Sequence, residues 1–350
     1  MIDRPPVPVT VLTGFLGSGK STVIGRLLRD PALARTAVIV NEYGEVPIDH
    51  ALVRAAEENL VTLNSGCLCC TLRGDLVETL GDLIARRAKA EIPDFNRVLV
   101  ETTGLADPAP ILHTLMSEPL LVRHFRLDGI VTTIDAVHGL SQIERHPEAV
   151  KQAAVADRLL LTKGDLVDAA RLAALTARLG DLNPAARPIR VDHGDVAAAA
   201  ILDAGLFDPA RKTADVRGWL REEAYAATSA DGHAHHHDHG AGPAHDGNHG
   251  DAVDSFCLFF DAPLEWDDVA AWLDLLASLR GDGLLRMKGI LDIRGEERPV
   301  VIHGVQHLFH PPALLDAWPD DDRRSRIVFI TRDLDRAVVT QTLAAIRGGG

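Results

Sequence analysis

At 350 residues, the chain is long enough for two domains that each bury a hydrophobic core. Its 50 aspartate and glutamate residues outnumber its 36 lysine and arginine residues, which gives a formal net charge of -14. This balance argues against a nucleic-acid-binding protein, because neutralising phosphates requires clustered basic side chains. We therefore expect no nucleic-acid partner.

The chain shows no sign of membrane insertion or export. No stretch approaches the ~18 to 20 uninterrupted apolar residues of a membrane span, and residues 1–8 lack the charged, apolar and small-residue order of a signal peptide. Three of the four cysteines fall between Cys67 and Cys70, too close together to link distant parts of a fold. A reducing compartment keeps such groups as thiols, so we expect a cytoplasmic protein without a membrane partner.

The first part of the chain alternates strand and helix patterns. Apolar runs predict strands at residues 7–12, 36–40, 60–63, 97–100, 129–134, 158–161 and 188–191. Helical patterns occupy residues 20–29, 72–90, 150–156 and 169–179. Strands that are apolar on both faces and separated by helices are typical of a parallel sheet covered on both sides. The sequence therefore predicts an α/β domain with a mostly parallel sheet over residues 1–227.

The pattern changes after residue 227. Residues 228–251 are rich in Gly, Ala, Asp and His and have too few apolar side chains for a core, so we interpret them as a flexible linker. Residues 252–350 resume with strands at 255–260, 284–293, 299–305 and 326–330 and helices at 266–279 and 334–346. This order predicts a smaller C-terminal α+β domain, with Trp266, Trp272 and Trp318 in its core and Cys257 half-buried.

A glycine-rich segment lies between the first predicted strand and helix. Residues 14–21 match the phosphate-loop pattern G-x-x-x-x-G-K-[ST] of P-loop NTPases, in the strand-to-helix context that it requires. In such a loop, backbone N–H groups surround the phosphates, the lysine reaches the β/γ oxygens and the hydroxyl binds Mg²⁺. A chance glycine-rich turn is the alternative. The predicted nucleotide-binding residues here are Gly14, Gly17, Ser18, Gly19, Lys20, Ser21 and Thr22, with Ser21 also a Mg²⁺ ligand.

The strand at 97–100 runs into Glu101, and Thr102, Thr103 and Gly104 follow. At the end of a strand beside a phosphate loop, Glu101 can approach the Mg²⁺ ion, and the Gly104 backbone can sense the γ-phosphate. An exposed glutamate that merely ends a strand is the alternative.

Residues 162–165, Thr-Lys-Gly-Asp, follow the buried strand at 158–161. Ligands of doubly wound sheets bind at this edge. Asp165 can accept the two N–H groups that guanine has and adenine lacks, and Lys163 can lie along the base. Thr162 stands where the guanine motif N-K-x-D has asparagine. The alternative for Asp165 is an ordinary helix N-cap.

Three thiols follow the strand at 60–63 and precede the helix at 72–90. A helix start lowers thiol pKa values and so favours thiolate ligands. Cys67, Cys69 and Cys70 are soft donors that suit tetrahedral Zn²⁺, Cu⁺ or Co²⁺, with a fourth position left for water, a carboxylate or a client ligand. Small buried core cysteines are the alternative.

These motifs, together with residues 41–49 (Asn-Glu-Tyr-Gly-Glu-Val-Pro-Ile-Asp) and 101–108 (Glu-Thr-Thr-Gly-Leu-Ala-Asp-Pro), closely resemble the CobW family of metallochaperone GTPases. That family is related to the GTPases that insert nickel into hydrogenase and urease. The resemblance continues through residues 127–129, 135–136 and 156–158, and into the second domain at residues 285–290, 304–306 and 328–330.

The resemblance implies roles for residues 41–49, which look like the first switch segment. Glu45 or Glu42 becomes a carboxylate partner for the cysteines, and Asp49 helps to position water near the γ-phosphate, with an exposed switch carboxylate as the alternative. The catalytic set is then Lys20, Glu101 and Asp49.

The resemblance also implies a function: a GTP-hydrolysing metallochaperone or metal insertase. Its cofactors are GTP, Mg²⁺ and Zn²⁺ or Co²⁺. Its partner is an apo-metalloenzyme client or the cobalamin-synthesis machinery, and the chain is a monomer or a dimer that depends on nucleotide or metal. The alternatives are a small-molecule kinase that uses the same phosphate loop, and a passive metal buffer.

The linker carries seven imidazoles, at His233, His235, His236, His237, His239, His245 and His249. Flexible imidazoles bind Zn²⁺, Ni²⁺, Co²⁺ or Cu²⁺ with little geometric selectivity. We interpret the tract as a weak metal-collecting segment, and a solubilising linker is the alternative.

Overall fold

The computed structural model describes residues 5–40, 60–62, 71–202, 253–280 and 283–348. The predicted switch segment (41–49), the cysteine motif (67–70) and the histidine-rich linker (228–251) lie outside the described residues. No described helix is both long and apolar enough to cross a membrane.

The chain divides into two compact units. One falls within Met1–Leu179 and Ala186–Asp208, and the other within Gly180–Ala185 and Pro209–Gly350. The boundaries predicted at residues 227 and 252 lie in a segment outside the described residues, so they stay predictions.

The first unit is built on a sheet of seven strands. In chain order they are β1 (Val7–Gly14), β2 (Thr36–Val40), β3 (Leu60–Thr62), β4 (Arg97–Glu101), β5 (Phe125–Asp135), β6 (Arg158–Thr162) and β7 (Pro188–Val191). Their order across the sheet is β3-β2-β4-β1-β5-β6-β7, and every neighbouring pair is parallel. The predicted parallel α/β fold is confirmed, and all seven predicted strands are present.

Among the described residues, the helices of this unit are α1 (Lys20–Leu27), α2 (Thr71–Ala88), α3 (Ala109–Ser117), α4 (Pro119–His124), α5 (Gly139–Arg145), α6 (Pro147–Val155), α7 (Ala169–Leu182) and α8 (Ala198–Ile201). Sequence patterns did not predict α3, α4, α5 and α8. Two of these, α3 and α4, begin with a proline in their first turn, a position that suits proline because its missing N–H has no helical partner there.

A buried carboxylate holds three of the central strands together near their amino ends. Asp128 accepts hydrogen bonds from Thr10 Oγ1 at 3.0 Å and from the Arg97 guanidinium, and it is only 1% exposed. A buried charge is stable only when it is paired and hydrogen-bonded. This arrangement lets β5 begin at Phe125, earlier than its apolar run predicts.

The parallel order places the carboxyl ends of β1, β4, β5 and β6 at one edge of the sheet. Within the central pair β1 and β4, Leu12 is aligned with Glu101. The loop after β1 therefore lies beside the end of β4, at the edge where doubly wound sheets bind ligands.

In its described residues, the second unit contains a mostly antiparallel sheet and two helices, α9 (Trp266–Arg280) and α10 (Arg336–Gly348). Its strands are β8 (Val253–Phe260), β9 (Leu284–Leu291), β10 (Val300–Val305), β11 (Leu308–Phe309), β12 (Ala313–Leu314) and β13 (Ser325–Arg332). The order is β11-β10-β9-β13-β8, and β12 pairs with β10. This confirms the predicted α+β unit.

Aromatic packing forms the core of the second unit. Trp272 meets the Phe329 ring edge-on at 5.8 Å, and Phe256 stacks on the same ring at 5.3 Å. The indole N–H of Trp272 is satisfied by Thr342 Oγ1 at 3.0 Å. Trp272 is thus a core residue, as predicted.

Two expectations for this unit need correction. Trp318, predicted in the core, is half-buried and is not part of the described core cluster to which Trp266 and Trp272 belong. Cys257, predicted to be half-buried, is 6% exposed, because it lies on β8 directly opposite Val328 of β13.

One carboxylate of the second unit generates a testable prediction. Partial burial raises the pKa of Asp254 above its usual 3.8, and the neighbouring carboxylates of Asp335 and Asp333 raise it further. Because the folded-state pKa exceeds the unfolded value, ionised Asp254 opposes folding once the pH rises through the folded-state pKa. We expect Asp254→Asn to raise the Tm by about 1–2 °C at pH 7, the size typical of a partly solvated charge.

The gain should shrink steadily as the pH is lowered toward the unfolded-state value, where wild-type Asp254 is also neutral. Asp274→Asn, at an exposed position on α9, is the matched control and should leave the Tm nearly unchanged. Thermal unfolding between pH 4 and 8 measures both, and a gain that does not depend on pH would contradict the electrostatic cause.

Candidate nucleotide-binding site

The loop between β1 and α1 has a backbone that only glycine accommodates at several positions. Gly14, Gly17 and Gly19 have φ angles of +144°, +71° and +89°. A Cβ on Gly14 would lie 2.2 Å from Thr133 Oγ1, so no side chain fits there. Gly19 precedes α1 without a side-chain cap, which leaves the first N–H groups of the helix for an anion.

Five buried hydroxyl groups support this loop from behind, and we call them the hydroxyl layer. Its members are Thr13, Ser18, Thr102, Thr133 and Thr162. Ser18 Oγ lies 2.7 Å from Thr133 Oγ1, and Thr102 Oγ1 donates to Thr13 Oγ1 at 2.8 Å. Hydrogen-bonded buried groups of this kind fix local geometry. The loop shape therefore depends on residues far along the chain.

Thr162 has a defined role in this layer. Its hydroxyl donates to the Ser18 carbonyl at 2.8 Å and lies 3.2 Å from the Ile134 carbonyl. Thr162 therefore holds the phosphate loop, and its side chain is engaged there. Ser18 likewise contributes its side chain to the layer, so only its backbone remains for a phosphate.

The predicted cation Lys20 is only 9% exposed. Its Nζ donates to the Gly14 carbonyl at 2.8 Å and to the Phe15 carbonyl at 3.2 Å, which spans the loop. Burial lowers the pKa of Lys20, and the nearby Glu101 carboxylate opposes that shift. The ammonium group is therefore held where loop phosphates would lie, with little water to screen its charge.

The two residues predicted to bind Mg²⁺ are brought together. Ser21 Oγ donates to Glu101 Oε1 at 3.3 Å, and Glu101 is only 5% exposed. A hydroxyl and a carboxylate oxygen are hard donors that fit Mg²⁺, which takes few protein ligands beside phosphate and water. This pair fits a nucleotide-bound Mg²⁺ ion.

Gly104 lies directly against the phosphate loop. A Cβ at this position would fall 2.7 Å from the Leu16 backbone nitrogen, so any larger residue would push the two segments apart. The structure thus places the predicted γ-phosphate sensor next to the loop.

The segment after β6 forms an ion pair with the end of β5. Lys163 has a left-handed backbone (φ +58°), and its Nζ is 2.7 Å from Oδ2 of buried Asp135. Asp165 is exposed and makes no hydrogen bond within the described part of the chain. The helix cap considered for Asp165 is instead formed by Asp168, which accepts the Arg171 N–H at 2.8 Å. Asp165 is therefore available to a ligand.

Sequence reasoning missed several residues of this site. Asp135 ends β5 as Glu101 ends β4, and the same signal, a carboxylate directly after a buried strand, would have found it. Thr133 and Gln152 carry no such signal, because their contacts are made with residues more than 40 positions away.

The predicted metal ligands Cys67, Cys69, Cys70, Glu42 and Glu45, and the predicted catalytic Asp49, lie outside the described residues. The flanking elements are present: β3 ends at Thr62, and α2 begins at Thr71. Among the described residues, no group of three or more His, Cys, Asp or Glu side chains is arranged to hold a metal ion.

Comparisons with known proteins match both units. The family model of the CobW/HypB/UreG nucleotide-binding domain matches residues 8–190, and that of the cobalamin synthesis protein cobW C-terminal domain matches residues 253–347. The chain belongs to the CobW family.

Relatives cover nearly the whole CobW-family chain. The zinc chaperone YjiA of Escherichia coli is 34% identical, over 98% of this chain and 99% of the relative. The zinc chaperone CobW of Pseudomonas aeruginosa is 29% identical, over 96% and 90%. The crystal structure of Zn(II)-bound YjiA GTPase from E. coli has a TM-score of 0.67 at 26% identity, over 98% of this chain and 100% of the other.

The free carboxylate of Asp165 generates a prediction about base selection. We expect Asp165→Asn to weaken GTP binding by about 10- to 100-fold, because the amide cannot accept both guanine N–H groups. The variant should gain affinity for xanthosine triphosphate, whose extra carbonyl accepts from the amide.

The matched control is Asp168→Asn, which removes an exposed carboxylate three residues away and keeps a good helix cap. Titrations of both variants with GTP and with xanthosine triphosphate measure these affinities. If Asp165→Asn binds GTP as tightly as the control does, Asp165 does not contact the base.

Thr162 generates a second prediction. Thr162→Val keeps the side-chain shape but loses the hydrogen bond to the Ser18 carbonyl, which leaves a buried acceptor without its donor. We expect GTP and GDP affinities to fall together, by about 5- to 10-fold, because the loop contacts the phosphates that both nucleotides share. Thr162→Ser retains the hydroxyl and should stay within about 2-fold of wild type; a loss in Thr162→Ser with none in Thr162→Val would show that the methyl group matters instead.

Proposed function

We propose that this CobW-family protein is a GTP-hydrolysing metallochaperone that uses its nucleotide state to control delivery of a transition metal to a client protein. The observation that carries the proposal is the cluster of Lys20, Ser21 and Glu101 at the phosphate loop, on a chain whose relatives are named zinc chaperones.

GTP hydrolysis is assigned to Lys20, Ser21 and Glu101. The Lys20 ammonium stabilises negative charge on the β- and γ-phosphates, and its burial strengthens that interaction. Ser21 and Glu101 would hold Mg²⁺, which neutralises the same phosphates when bound. Asp49 completes the proposed catalytic set by orienting the attacking water, and Asp165 with Lys163 selects guanine.

Three thiolates carry the metal half of the proposal. Cys67, Cys69 and Cys70 bind the transferred metal, and either Glu42 or Glu45 supplies the fourth ligand. Three soft ligands with one exchangeable position suit a metal that is passed on. The names of the relatives favour Zn²⁺ over Co²⁺ as the cargo.

The strands that precede the cysteine motif and residues 41–49 support a coupling between nucleotide binding and metal binding. Because β3 runs parallel to β2 and β4, its carboxyl end lies at the same sheet edge as the phosphate loop. The motif begins after this strand, and residues 41–49 begin after β2. The strands that precede both segments therefore end at the nucleotide edge, and we propose that a γ-phosphate that orders one segment completes the metal site in the other.

The remaining parts of the proposal concern location and partners. Thiolate ligands need a reducing compartment, so the protein acts in the cytoplasm. The client is an apo-metalloenzyme or a component of cobalamin synthesis, and a dimer forms, if at all, in a nucleotide- or metal-dependent manner. The histidine-rich segment collects metal weakly and does not form the specific site.

Metal titration in two nucleotide states tests this function. We expect Mg²⁺ with a non-hydrolysable GTP analogue to tighten Zn²⁺ binding relative to Mg²⁺ with GDP, by ~5- to 150-fold. Reciprocity requires Zn²⁺ to tighten the GTP analogue by the same factor, and a competitive chelator reads the first effect while a fluorescent nucleotide reads the second.

The double variant Cys69→Ser/Cys70→Ser should lose both effects and keep its GDP affinity. Cys257→Ala removes the cysteine outside the 67–70 motif, which lies in the second unit, and should keep both effects. Equal Zn²⁺ affinities in the two nucleotide states would leave a passive metal buffer as the better interpretation.

A further inference from the structure

A buried glutamine of helix α6 forms hydrogen bonds with the segment of residues 104–107. Gln152 is 1% exposed, and its Nε2 donates to the Gly104 carbonyl at 3.2 Å and to the Ala106 carbonyl at 3.0 Å. Because both partners are carbonyl oxygens, the amide nitrogen must face the segment. The side chain of Gln152 therefore fixes two peptide groups of residues 104–107.

The residue before Gln152 holds the end of the same segment. Lys151 Nζ lies 2.7 Å from Asp107 Oδ2, while Asp107 Oδ1 accepts the N–H of Ala109, the first residue of α3, at 3.0 Å. Residues 104–107 are thus attached to α6 at both ends, by two consecutive side chains.

The other side of this segment contacts the phosphate loop. Gly104 packs against the Leu16 backbone, and the ring of Phe15 lies 4.7 Å from that of His146, the residue that precedes α6. Residues 104–107 are therefore enclosed between the phosphate loop and α6. A shift of Gly104 toward or away from a γ-phosphate must change its contacts with Gln152.

The Gln152 amide is not arranged for stability alone. Its Oε1 is buried and has no hydrogen-bond partner among the described residues. A buried acceptor without a donor is costly, and an aliphatic side chain would avoid that cost. The donor function toward residues 104–107 is what a glutamine supplies here.

Planarity of the peptide bond explains what these contacts achieve. A carbonyl and the following N–H point in opposite directions across a trans peptide. Holding the Gly104 and Ala106 carbonyls toward Gln152 therefore turns the N–H groups of Leu105 and Asp107 away from α6.

We propose that Gln152 is a positioning residue that sets residues 104–107 for the γ-phosphate and couples their position to helix α6. The inference rests on the proposed function, in which the site binds GTP and Gly104 responds to its γ-phosphate. Gln152 touches no phosphate, so its effect should appear as a difference between nucleotides and not as a general loss of binding.

The test compares Gln152→Met with a control variant on strand β5, which contacts the same helix. Gln152→Met keeps the length of the side chain but has no donor. Thr132→Val removes the hydrogen bond of 2.8 Å between Thr132 Oγ1 and the Gln152 backbone carbonyl, so it perturbs the attachment of α6 without touching residues 104–107. Affinities for GDP and a non-hydrolysable GTP analogue, each with Mg²⁺, are measured together with kcat and KM for GTP.

We expect Gln152→Met to bind the GTP analogue about 10-fold more weakly and to lose about 10-fold in kcat, with GDP affinity within 2-fold of wild type. Thr132→Val should keep the wild-type ratio of the two affinities. Equal losses for GDP and the analogue, or no loss for either, would overturn the positioning role. A wild-type protein that does not bind GTP would instead overturn the proposed function itself, and the inference with it.

Hydrogen exchange on the wild-type protein gives a second test that needs no variant. Peptides covering residues 104–107 and 147–155 should change protection together when the GTP analogue replaces GDP. A change in residues 104–107 without one in α6 would contradict the coupling.

Discussion

The phosphate loop packs against the hydroxyl layer, a set of buried hydroxyl groups. The geometry of the nucleotide site depends on the hydrogen bonds of this layer. The layer joins the loop to β1, β5 and β6 and to the residue after β4. Each of these links is a hydrogen bond between buried groups, so a loss at one position leaves a polar atom unsatisfied at another. The loop keeps its shape because four strands end beside it in register.

That constraint organises the other site residues. Ser21 at the start of α1 meets Glu101 because β1 and β4 are neighbours, and Lys163 meets Asp135 because β5 and β6 are. The same sheet edge holds the carboxyl ends of β2 and β3. It brings together Lys20, Ser21, Glu101 and Lys163, although these residues are spread over more than 100 positions.

Much of this could be predicted from the sequence, for local physical reasons. Strands buried on both faces are continuous apolar runs, so β2 was predicted with its observed bounds. Lys20 and Ser21 belong to one contiguous motif, and Glu101 marks a strand end. The early start of β5 was not predictable, because its Asp128 is tolerated in the interior only through a partner, Arg97, that is distant in the sequence. Gln152 was missed for the same reason: its contacts follow from the tertiary fold and leave no periodic signal.

The all-parallel order of the first unit has a consequence for how the protein is made. The central strand β1 leaves the ribosome first, yet the hydroxyl of Thr162 that holds the phosphate loop is synthesised 144 residues after Ser18. At typical rates of about 5–20 residues per second, that separation corresponds to roughly 7–30 s of translation. For much of this interval β1 lacks its sheet neighbours β4 and β5, because parallel strands are joined by long crossover connections. The nascent chain is therefore prone to aggregate during this period. Molecular chaperones that shield apolar segments matter most at this stage.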